Sequence, residues 1–258
     1  MRDILERLSK GEISVDEAER SLKIDVIENV TNVARLDIGR AIRRGVPEII
    51  YAEGKSNEDL IQISRRMLEK NGRALISRVD EKQLEFLKEN LSTYEIEKRP
   101  HATLVLVRRK GNVTSKSGGR VGIVTAGTVD LSVAEESAMI CQEMGCEAFL
   151  EVDAGVAGIH RLVEPLTNLM RRDIDVLIVA AGREGALPTV VAGLVDLPIV
   201  ALPTSSGYGY GGHGHAALMA MLQACSLGLA VVNIDSGIAA GVVAAQIANR
   251  VARARSRT

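Results

Sequence analysis

The stretch that decides the fold is VGIVTAGTVDLSVAEESAMICQEMGCEAFLEV, Val121–Val152. It begins and ends with short apolar runs, Val121–Thr125 and Ala148–Val152, which lack the two-residue alternation of a half-exposed strand. Continuous apolar runs of this kind are typical of strands that are buried on both faces. Between them, Ser132 and a glutamate three residues later have capping-box spacing, which predicts a helix over Val133–Met144. The stretch therefore predicts a βαβ unit with parallel strands.

The same alternation of apolar runs and helices continues towards the C-terminus. Three further runs are predicted strands: Val176–Ala180, Ile199–Leu202 and Ala230–Ile234. Helices are predicted over Ile159–Arg171, Ala186–Leu194, Ala216–Ser226 and Gly237–Ala254. Five βα units with right-handed crossovers predict an α/β fold with a doubly wound, flavodoxin-like parallel sheet. Ligands of such sheets bind at the carboxyl ends of the strands, so we expect the functional residues in the loops that follow those ends.

A smaller α/β module is predicted before this sheet. It begins with helices over Arg2–Ser9 and Val15–Leu22, and Ser14 with Glu17 has capping-box spacing at the start of the second helix. Periodicity then predicts strands and amphipathic helices in alternation. The strands are Ile49–Ala52, Ala74–Ser77 and Thr103–Val107, and the helices lie near Asn57–Lys70 and Glu81–Asn90.

The polar, glycine-bearing segment Gly111–Arg120 has no apolar periodicity and indicates a linker. We therefore expect a small N-terminal α/β domain over residues 1–117 and a catalytic domain over residues 118–258. A chain of 258 residues with 46% hydrophobic content is long enough to bury a full core, in one large domain or in two unequal ones.

The composition favours a small-molecule partner over a nucleic acid. The chain has 32 basic and 33 acidic side chains, so its formal net charge of −1 does not attract a phosphate backbone. Its three cysteines, Cys141, Cys146 and Cys225, form no CxxC pair, which argues against a disulfide framework and a structural zinc site. The N-terminus lacks a signal-peptide core, and no apolar run reaches the ~20 residues of a membrane span. We expect a cytoplasmic protein without a membrane partner.

A glycine-rich loop follows the fourth predicted strand of the C-terminal sheet. It contains Gly207, Gly209, Gly211, Gly212 and Gly214, and backbone without Cβ atoms can approach a ligand closely. No loop is a GxGxxG fingerprint followed by an acidic residue or a GxxxxGK[ST] phosphate loop, which disfavours ordinary dinucleotide dehydrogenases and nucleoside triphosphatases. Substrate binding by Gly207, Gly209 and Gly211 is one interpretation of the loop, and a flexible surface loop is the other.

Seven motifs lie in order along both predicted domains: DIGR (37–40) with RGVPE (44–48), YAEGK (51–55), TAGTVDLSVAEE (125–136), AAGREGALPTVVAGL (180–194), GYG (207–209), MLQAC (221–225) and VVNIDSG (231–237). Together they resemble the LarB family, whose members carboxylate and hydrolyse nicotinic acid adenine dinucleotide in the first step of nickel-pincer nucleotide synthesis. The C-terminal domain is also similar to aminoimidazole ribonucleotide carboxylases and mutases. Those purine enzymes carry a histidine before Leu-Pro, where this sequence has Ala186.

The resemblance implies an enzyme that acts on this dinucleotide and CO2, and it implies covalent catalysis by Cys225. A thiolate that adds to the 4-position of the pyridinium ring makes the 5-position nucleophilic towards CO2, and the thiolate leaves when the ring becomes aromatic again. The alternative for Cys225 is a packing residue in the core, since free cysteines are commonly buried. We expect that packing role for Cys141 and Cys146.

Three carboxylates or hydroxyls in the loops after predicted strands are candidate site residues. Glu184 is the expected base for the ring proton, and its alternative role is to stabilise the start of the next helix. Thr128 and Asp130 are expected to position the ribose or phosphate of the substrate, and Asp130 has the alternative role of a helix cap.

The remaining candidates lie in and after the glycine loop. His213 and His215 form an HxH pair without further ligands at metal-binding spacing, so we expect hydrogen bonds to the substrate from His213 rather than a metal site. Asn233 is expected to contact the substrate, and Asp235 is the candidate ligand for a divalent cation such as Mg2+ beside the phosphoanhydride. The alternative for Asp235 is a turn residue. No organic cofactor is expected.

Two further functions remain open at this stage, a purine ribonucleotide carboxylase or mutase and a non-catalytic nucleotide-binding protein. The last predicted helix, which begins at Gly237, is apolar or small around most of its circumference, and a helix of this kind needs partners on several sides. We therefore expect a homo-oligomer, and the resemblance to the purine enzymes implies an octamer.

Overall fold

The computed structural model describes residues 2–24, 27–30 and 34–257, and these form two compact units. The first unit runs to Lys98 and includes Leu104–Asn112, and the second consists of Arg99–Thr103 and the residues from Val113 onward. The chain therefore passes from one unit to the other more than once. Within the described ranges, no helix is both long and apolar enough to cross a membrane.

The first unit is a mixed α/β structure. Its helices and strands are α1 (Arg2–Ser9), α2 (Val15–Ile24), β1 (Ile27–Val30), β2 (Ala34–Asp37), α3 (Arg40–Arg44), β3 (Ile49–Tyr51), α4 (Asn57–Asn71), β4 (Arg73–Ser77), α5 (Glu81–Asn90), β5 (Glu95–Lys98) and β6 (Val105–Arg108). A four-stranded sheet has the order β3-β4-β6-β5, in which β3 and β4 are parallel and the other pairs are antiparallel. β1 and β2 form a separate antiparallel pair.

Helix α4 shows how the sequence directs this unit. The hydroxyl of Ser56 accepts a 3.1 Å hydrogen bond from the backbone N–H of Asp59 and so caps the first turn. Leu60, Ile63 and Leu68 recur at helical spacing and are buried in the core that the sheet shares with this helix. The sequence alone predicts this helix, because the cap and the apolar face are both encoded by residues close together in the chain.

The capping box predicted at Ser14 and Glu17 is confirmed, since each residue's side chain accepts a hydrogen bond from the other's backbone N–H.

Strand β5 was not predicted. It is an edge strand in which exposed Glu95 and Glu97 alternate with half-buried residues, and charged residues of this kind keep an edge strand from pairing with other chains. The same charges hide the strand from a search for apolar runs.

The second unit is a parallel sheet flanked by helices. Its helices and strands are β7 (Arg120–Thr125), α6 (Leu131–Glu143), β8 (Glu147–Glu151), α7 (Val163–Arg171), β9 (Val176–Ala181), α8 (Ala186–Ala192), β10 (Ile199–Pro203), α9 (His215–Leu222), β11 (Leu229–Val231) and α10 (Gly237–Arg255). The strand order is β8-β7-β9-β10-β11, all parallel, which is the flavodoxin-like order of a doubly wound sheet. The predicted fold is confirmed.

The direction of the strand order reverses between β7 and β9. The chain moves from β7 outward to β8, and then returns past β7 to add β9, β10 and β11 on the other side. Crossovers at such a point leave the two neighbouring loops apart and open a crevice at the carboxyl ends of the strands. The loops after β7 and β9 therefore border the expected ligand site.

The capping box predicted at Ser132 and Glu135 is wrong. Helix α6 begins earlier, at Leu131, and directly follows the 3-10 turn Thr128–Asp130. The carboxylate of Glu135 instead accepts the backbone N–H groups of His101 at 2.8 Å and of the next residue at 3.1 Å. A buried carboxylate needs such donors, and here they come from a segment 34 positions earlier in the chain. The local spacing of residues around Glu135 cannot predict this contact.

The small residues of α10 pack within the chain itself. The carbonyl oxygen of Gly237 accepts a 2.8 Å hydrogen bond from the Ser137 hydroxyl on α6, and a Cβ at Gly241 would lie 2.8 Å from the carbonyl oxygen of Ser137. Ala240, Ala244 and the other small residues of this face are buried against α6 and the sheet. This face of the helix therefore does not require a second subunit, and the expected homo-oligomer needs a different physical basis.

Candidate active site

Asp130 joins two loops at the carboxyl edge of the sheet. Its side chain is only 2% exposed. Oδ1 accepts hydrogen bonds from the hydroxyls of Thr204 at 2.6 Å and Ser206 at 2.9 Å, and Oδ2 accepts from the backbone N–H of Gly127 at 3.0 Å. The carboxylate thus fixes the loop after β10 against the loop after β7. It makes no side-chain capping bond to α6, so the alternative role as a helix cap is not realised.

Thr128 lies on the same loop as Asp130, two residues earlier, and is exposed. Its hydroxyl is at the start of the 3-10 turn that leads into α6. Ser206 is also exposed, on the opposite loop. Two exposed hydroxyls therefore face solvent on this crevice, and the buried carboxylate of Asp130 holds that of Ser206 in place. A phosphate or ribose can exchange hydrogen bonds with such groups.

The loop after β9 brings Glu184 to the same edge. Gly182 packs so closely on the loop after β10 that a Cβ there would overlap the hydroxyl oxygen of Ser206 and lie 2.8 Å from that of Thr204. Glu184 is exposed and precedes the N-cap of α8, Gly185, by one residue. A carboxylate in this position can accept a proton from a ligand in the crevice, and it also lies near the positive end of a helix.

The glycine loop leads from β10 to α9 and is anchored to the loop after β9. A Cβ at Gly207 would lie 2.9 Å from the backbone nitrogen of Arg183. The Arg183 guanidinium stacks on the Tyr208 ring at 3.9 Å from its centroid and donates a 2.6 Å hydrogen bond to its hydroxyl. At Gly211 a Cβ would overlap the side chain of Ala216, whereas Gly209 has φ +80° and no atom within 4 Å of a Cβ position. Close packing therefore requires glycine at 207 and 211, and a positive φ favours glycine at 209.

Four residues that are not glycine adopt positive φ angles at the carboxyl edge, one after each of four strands. They are Asp153 after β8, Arg183 after β9, His213 after β10 and Asp235 after β11, with φ between 53° and 61°. Side chains with a Cβ rarely adopt this conformation, and residues held in it cluster at ligand sites. Four of the six described non-glycine residues with positive φ thus lie at this edge, and the other two are Arg78 in the first unit and Asp173 before β9.

Asp235 ties the loop after β11 to the loop after β10. Its Oδ1 accepts a 2.8 Å hydrogen bond from the backbone N–H of Ser205, and its own N–H donates to the carbonyl oxygen of Pro203 at 2.9 Å. Asn233 is exposed, and its side-chain oxygen accepts from the N–H of Ile234 at 2.9 Å. Within the described ranges, no group of three or more His, Cys, Asp or Glu residues is arranged to hold a metal. One oxygen of the Asp235 carboxylate is already engaged by the N–H of Ser205.

Cys225 is exposed and lies on the connection between α9 and β11. The predicted helix Ala216–Ser226 is too long, since α9 ends at Leu222, and the predicted strand Ala230–Ile234 is β11, Leu229–Val231. The Ser226 hydroxyl donates a 2.9 Å hydrogen bond to the carbonyl oxygen of Thr189 in α8, and the carbonyl oxygen of Gly228 accepts from the N–H at the first residue of β10. Cys225 therefore lies on a connection that enters the amino ends of the strands.

The thiol and the predicted base are thus on connections that meet opposite ends of the strands. Glu184 follows the carboxyl end of β9, whereas the chain after Cys225 enters the sheet at the amino end of β11. Strands rise about 3.3 Å per residue, so the two ends of a five-residue strand such as β10 are roughly 15 Å apart. These connections therefore do not bring the thiol and the carboxylate to one crevice within one chain.

The other two thiols are core residues, as expected. Cys141 and Cys146 are buried, and their Sγ atoms donate to the carbonyl oxygen of Gly241 and to the side chain of Asn249. Burial raises the pKa of the Cys141 thiol well above its ordinary value and that of Cys146 to about 11. A thiol with so high a pKa is a poor nucleophile at neutral pH, which leaves Cys225 as the accessible thiol of the chain.

Arg161 was not predicted as a site residue, yet it lies beside the crevice. Its guanidinium pairs with Asp153 at 3.1 Å, and the backbone N–H of Asp153 donates to the hydroxyl of Thr125 at the end of β7. Gly155 packs between them, because a Cβ there would lie 2.7 Å from the carbonyl oxygen of Ala126 and 3.5 Å from Arg161. The cation is therefore next to the loop after β7. Only the order of the strands, in which β8 adjoins β7, could have identified it.

The fold and domain composition are those of a carboxylase- or mutase-type enzyme. Residues 27–109 match the LarB/PurE-like N-terminal domain, and residues 120–256 match the AIR carboxylase domain. The chain belongs to the LarB family, which has these two domains in this order.

Curated relatives agree with this assignment. An uncharacterized protein of Methanocaldococcus jannaschii is 42% identical over 96% of both chains. The N5-carboxyaminoimidazole ribonucleotide mutase of Thermotoga maritima is 30% identical over 50% of this chain and 74% of its own length. The mutase of M. jannaschii with the same name is 32% identical over 48% of this chain and 76% of its own. The similarity to the mutases thus covers about half of the chain.

Proposed function

We propose that this protein carboxylates the pyridinium ring of nicotinic acid adenine dinucleotide at the 5-position and hydrolyses its phosphoanhydride. The products are pyridinium-3,5-biscarboxylic acid mononucleotide and AMP. The observation that carries the proposal is the combination of a LarB-type N-terminal domain with a carboxylase domain that has one exposed thiol, Cys225. The identity of the proposed substrate comes from the resemblance of seven motifs to the LarB family.

The exposed thiol supports covalent activation of the ring. A pyridinium ring is electron-poor and does not attack CO2. When the Cys225 thiolate forms a bond to C4, the electron pair of the ring moves towards nitrogen, and C5 becomes the nucleophilic carbon of an enamine. C5 then bonds to CO2, loses its proton to a base, and the C–S bond breaks as aromaticity returns. Sulfur suits both steps, because a thiolate is a strong nucleophile and a good leaving group.

The carboxyl-edge residues supply the remaining roles. Glu184 accepts the C5 proton, a role that its exposed carboxylate beside the crevice permits. The hydroxyls of Thr128 and Ser206, the second held by Asp130, bind the ribose or phosphate of the mononucleotide half. Arg161 is the cation closest to the loop after β7 among those described above, and it binds the phosphate.

The proposed mechanism gives the expected homo-oligomer a physical basis. Thiol and base must both reach one ring, yet Cys225 and Glu184 lie on connections that meet opposite ends of the strands. The reaction therefore draws them from two copies of the chain. Exposed apolar side chains at and after the end of α9, such as Leu222 and Leu227, provide surface for such a contact. An octamer is the assembly that the resemblance to the purine enzymes implies.

A purine ribonucleotide carboxylase or mutase is the second candidate. It is favoured by the match of residues 120–256 to the AIR carboxylase domain and by the similarity of half of the chain to the T. maritima mutase. Ala186 opposes it, because an alanine cannot donate or accept a proton where the resemblance places a histidine.

Mass spectrometry of the reaction products tests the proposal. The protein is incubated with nicotinic acid adenine dinucleotide and 13C-bicarbonate, and in parallel with the carboxyaminoimidazole ribonucleotide substrate of the mutases. We expect a singly 13C-labelled biscarboxylated pyridinium mononucleotide and an equal amount of AMP in the first reaction and no product in the second. Product in the second reaction alone would establish the purine function, and no product in either would contradict both enzyme functions.

A further inference from the structure

The glycine loop and the first turns of α9 surround a hollow of about 660 Å3. We call this cavity the glycine-loop hollow. Its wall consists of Gly207–His213, His215, Ala216 and Met219. Small-molecule sites in proteins have volumes of roughly 300–1,000 Å3. The hollow is therefore large enough for a nucleoside.

The path of the loop around this hollow is fixed at both ends. Gly207 packs on the backbone of Arg183, and at the far end a Cβ at Gly214 would lie 2.7 Å from Ile234 and 3.0 Å from the carbonyl oxygen of Thr204. The stacked Arg183 side chain also holds Tyr208 on one face. Anchored ends make the hollow a property of the fold rather than of one arrangement of a mobile loop.

The wall of the hollow is mostly apolar and lacks carboxylate, guanidinium and ammonium groups. The ring of Tyr210 is fully exposed, and Met219 is 68% exposed. Aromatic and thioether side chains open to water around a concave surface indicate a site for a flat, uncharged ring, which stacks on the tyrosine and contacts the sulfur. A phosphate or a metal ion would find no opposite charge in this wall.

The polar groups of the hollow suit the edge of a heteroaromatic base. The imidazoles of His213 and His215 and the peptide groups of the glycines both donate and accept hydrogen bonds. His213 is held at φ +60°, a conformation that costs on the order of 1–3 kcal/mol in a residue with a Cβ. Backbone strain of this kind at a histidine on the rim is a second sign of a ligand site.

We propose that the glycine-loop hollow binds the adenine ring of the dinucleotide, an inference that rests on the function proposed above. Of the two rings of this substrate, adenine is uncharged and the carboxylated pyridinium is not, so the uncharged wall selects adenine. Gly207 of the rim touches Arg183, the residue before Glu184, and the hollow therefore adjoins the loop that carries the proposed base. One extended dinucleotide reaches from the hollow to the crevice at the carboxyl edge.

Titration calorimetry with AMP and with nicotinic acid mononucleotide tests the inference on the full-length protein. Stacking of a base on an aromatic side chain contributes enough that Tyr210→Ala should weaken AMP binding by about tenfold or more. Tyr210→Phe keeps the ring and should bind AMP within about twofold of the unmodified protein. Neither variant should change the affinity for the mononucleotide. Leu194→Ala, at another exposed apolar residue outside the hollow, is the control and should change neither affinity.

Three results would overturn the inference. AMP affinity that is the same in Tyr210→Ala and the unmodified protein would do so, as would an equal loss for AMP and the mononucleotide. An altered subunit number with retained AMP affinity would place the ring in a subunit interface instead. AMP binding requires no carboxylation, so the two proposals can fail separately. If AMP binding depends on Tyr210 but the protein has no activity, the proposed reaction is refuted and the adenine subsite is supported. If carboxylation is normal but AMP binding does not depend on Tyr210, the adenine subsite is refuted and the proposed reaction is supported.

Discussion

Oδ1 of Asp130 accepts a 2.6 Å hydrogen bond from the hydroxyl of Thr204, a residue 74 positions later in the chain. Because β9 lies between β7 and β10 in the sheet, this bond spans the carboxyl end of β9 and joins the loops on either side of it. Both side chains are buried. The carboxylate that the sequence suggested as a substrate ligand thus joins the two walls of the crevice.

Asp130→Asn tests this positioning role. The amide keeps the size of the carboxylate but places an NH2 group opposite one of three donors, the N–H of Gly127 or the hydroxyls of Thr204 and Ser206. A buried donor without an acceptor costs about 1–3 kcal/mol, so we expect the free energy of unfolding in urea to fall by that amount. The exposed Asp196→Asn is the control and should stay within about 0.5 kcal/mol. Equal stability of the two variants would show that the carboxylate is not needed.

Gly182→Ala tests the close approach of the loops after β9 and β10. The new methyl group would overlap the Ser206 hydroxyl and lie 2.8 Å from that of Thr204, so Ser206 must turn away from Asp130. Overpacking of this kind costs about 1–3 kcal/mol, which a lowered thermal midpoint would report. Gly193→Ala is the matched control, because the nearest atom to its Cβ is at an ordinary 3.5 Å and its φ is −81°. Similar midpoints for both variants would contradict the packing argument.

The sheet of the second unit was predictable from local patterns. β9 is buried along its whole length, and its continuous apolar run located it to within one residue at its end. β8 was located to within one residue as well, although it is an edge strand that is exposed or half-buried. The errors have non-local causes. Glu135 has the spacing of a cap residue but binds a distant backbone segment, and α9 stops at Leu222 because the chain must turn there to enter β11.

The candidate site was predictable at the level of loops but not of contacts. Strand order alone indicates that the loops carrying Asp130 and Glu184 meet at the carboxyl edge. The bonds from Thr204 and Ser206 to Asp130 require the loops after β7 and β10 to converge across β9, and no spacing in the sequence encodes that convergence. The location of Cys225 towards the amino ends of the strands follows from its place after α9, because the helix between two parallel strands runs from the carboxyl edge of the sheet back to the amino edge.

Glu184→Gln tests the proposed base. The amide keeps the shape of the side chain and removes the proton acceptor, so turnover should fall by about a hundredfold or more while the thiol adduct with the ring still forms. Glu164→Gln is the control, since Glu164 is an exposed carboxylate in the first turn of α7. If Glu184 serves only to stabilise the start of α8, the two variants will instead show the same small loss of stability, about 0.3–1 kcal/mol, with normal rates. Stopped-flow rates and thermal midpoints distinguish these outcomes.

Cys225→Ser tests the covalent step. A hydroxyl is a far poorer nucleophile than a thiolate at neutral pH, so the variant cannot populate the dihydropyridine that reacts with CO2. We expect carboxylation to be lost while the fold and AMP binding persist, because the replacement is nearly isosteric and the side chain is exposed. Mass spectrometry of the intact protein with the dinucleotide should detect a ring adduct in the unmodified chain and none in the variant.

Cys146→Ala provides the matched control for this prediction. Its thiol is buried, donates to the side chain of Asn249, and has a pKa that burial raises to about 11. Removing it should lower the thermal midpoint, because a cavity and an unpaired acceptor remain, but should leave the rate of carboxylation unchanged. The two variants are therefore expected to show opposite patterns, activity lost with stability kept for Cys225→Ser and the converse for Cys146→Ala. Full activity of Cys225→Ser in the product assay would refute the covalent mechanism, since no other described thiol is exposed to act in its place.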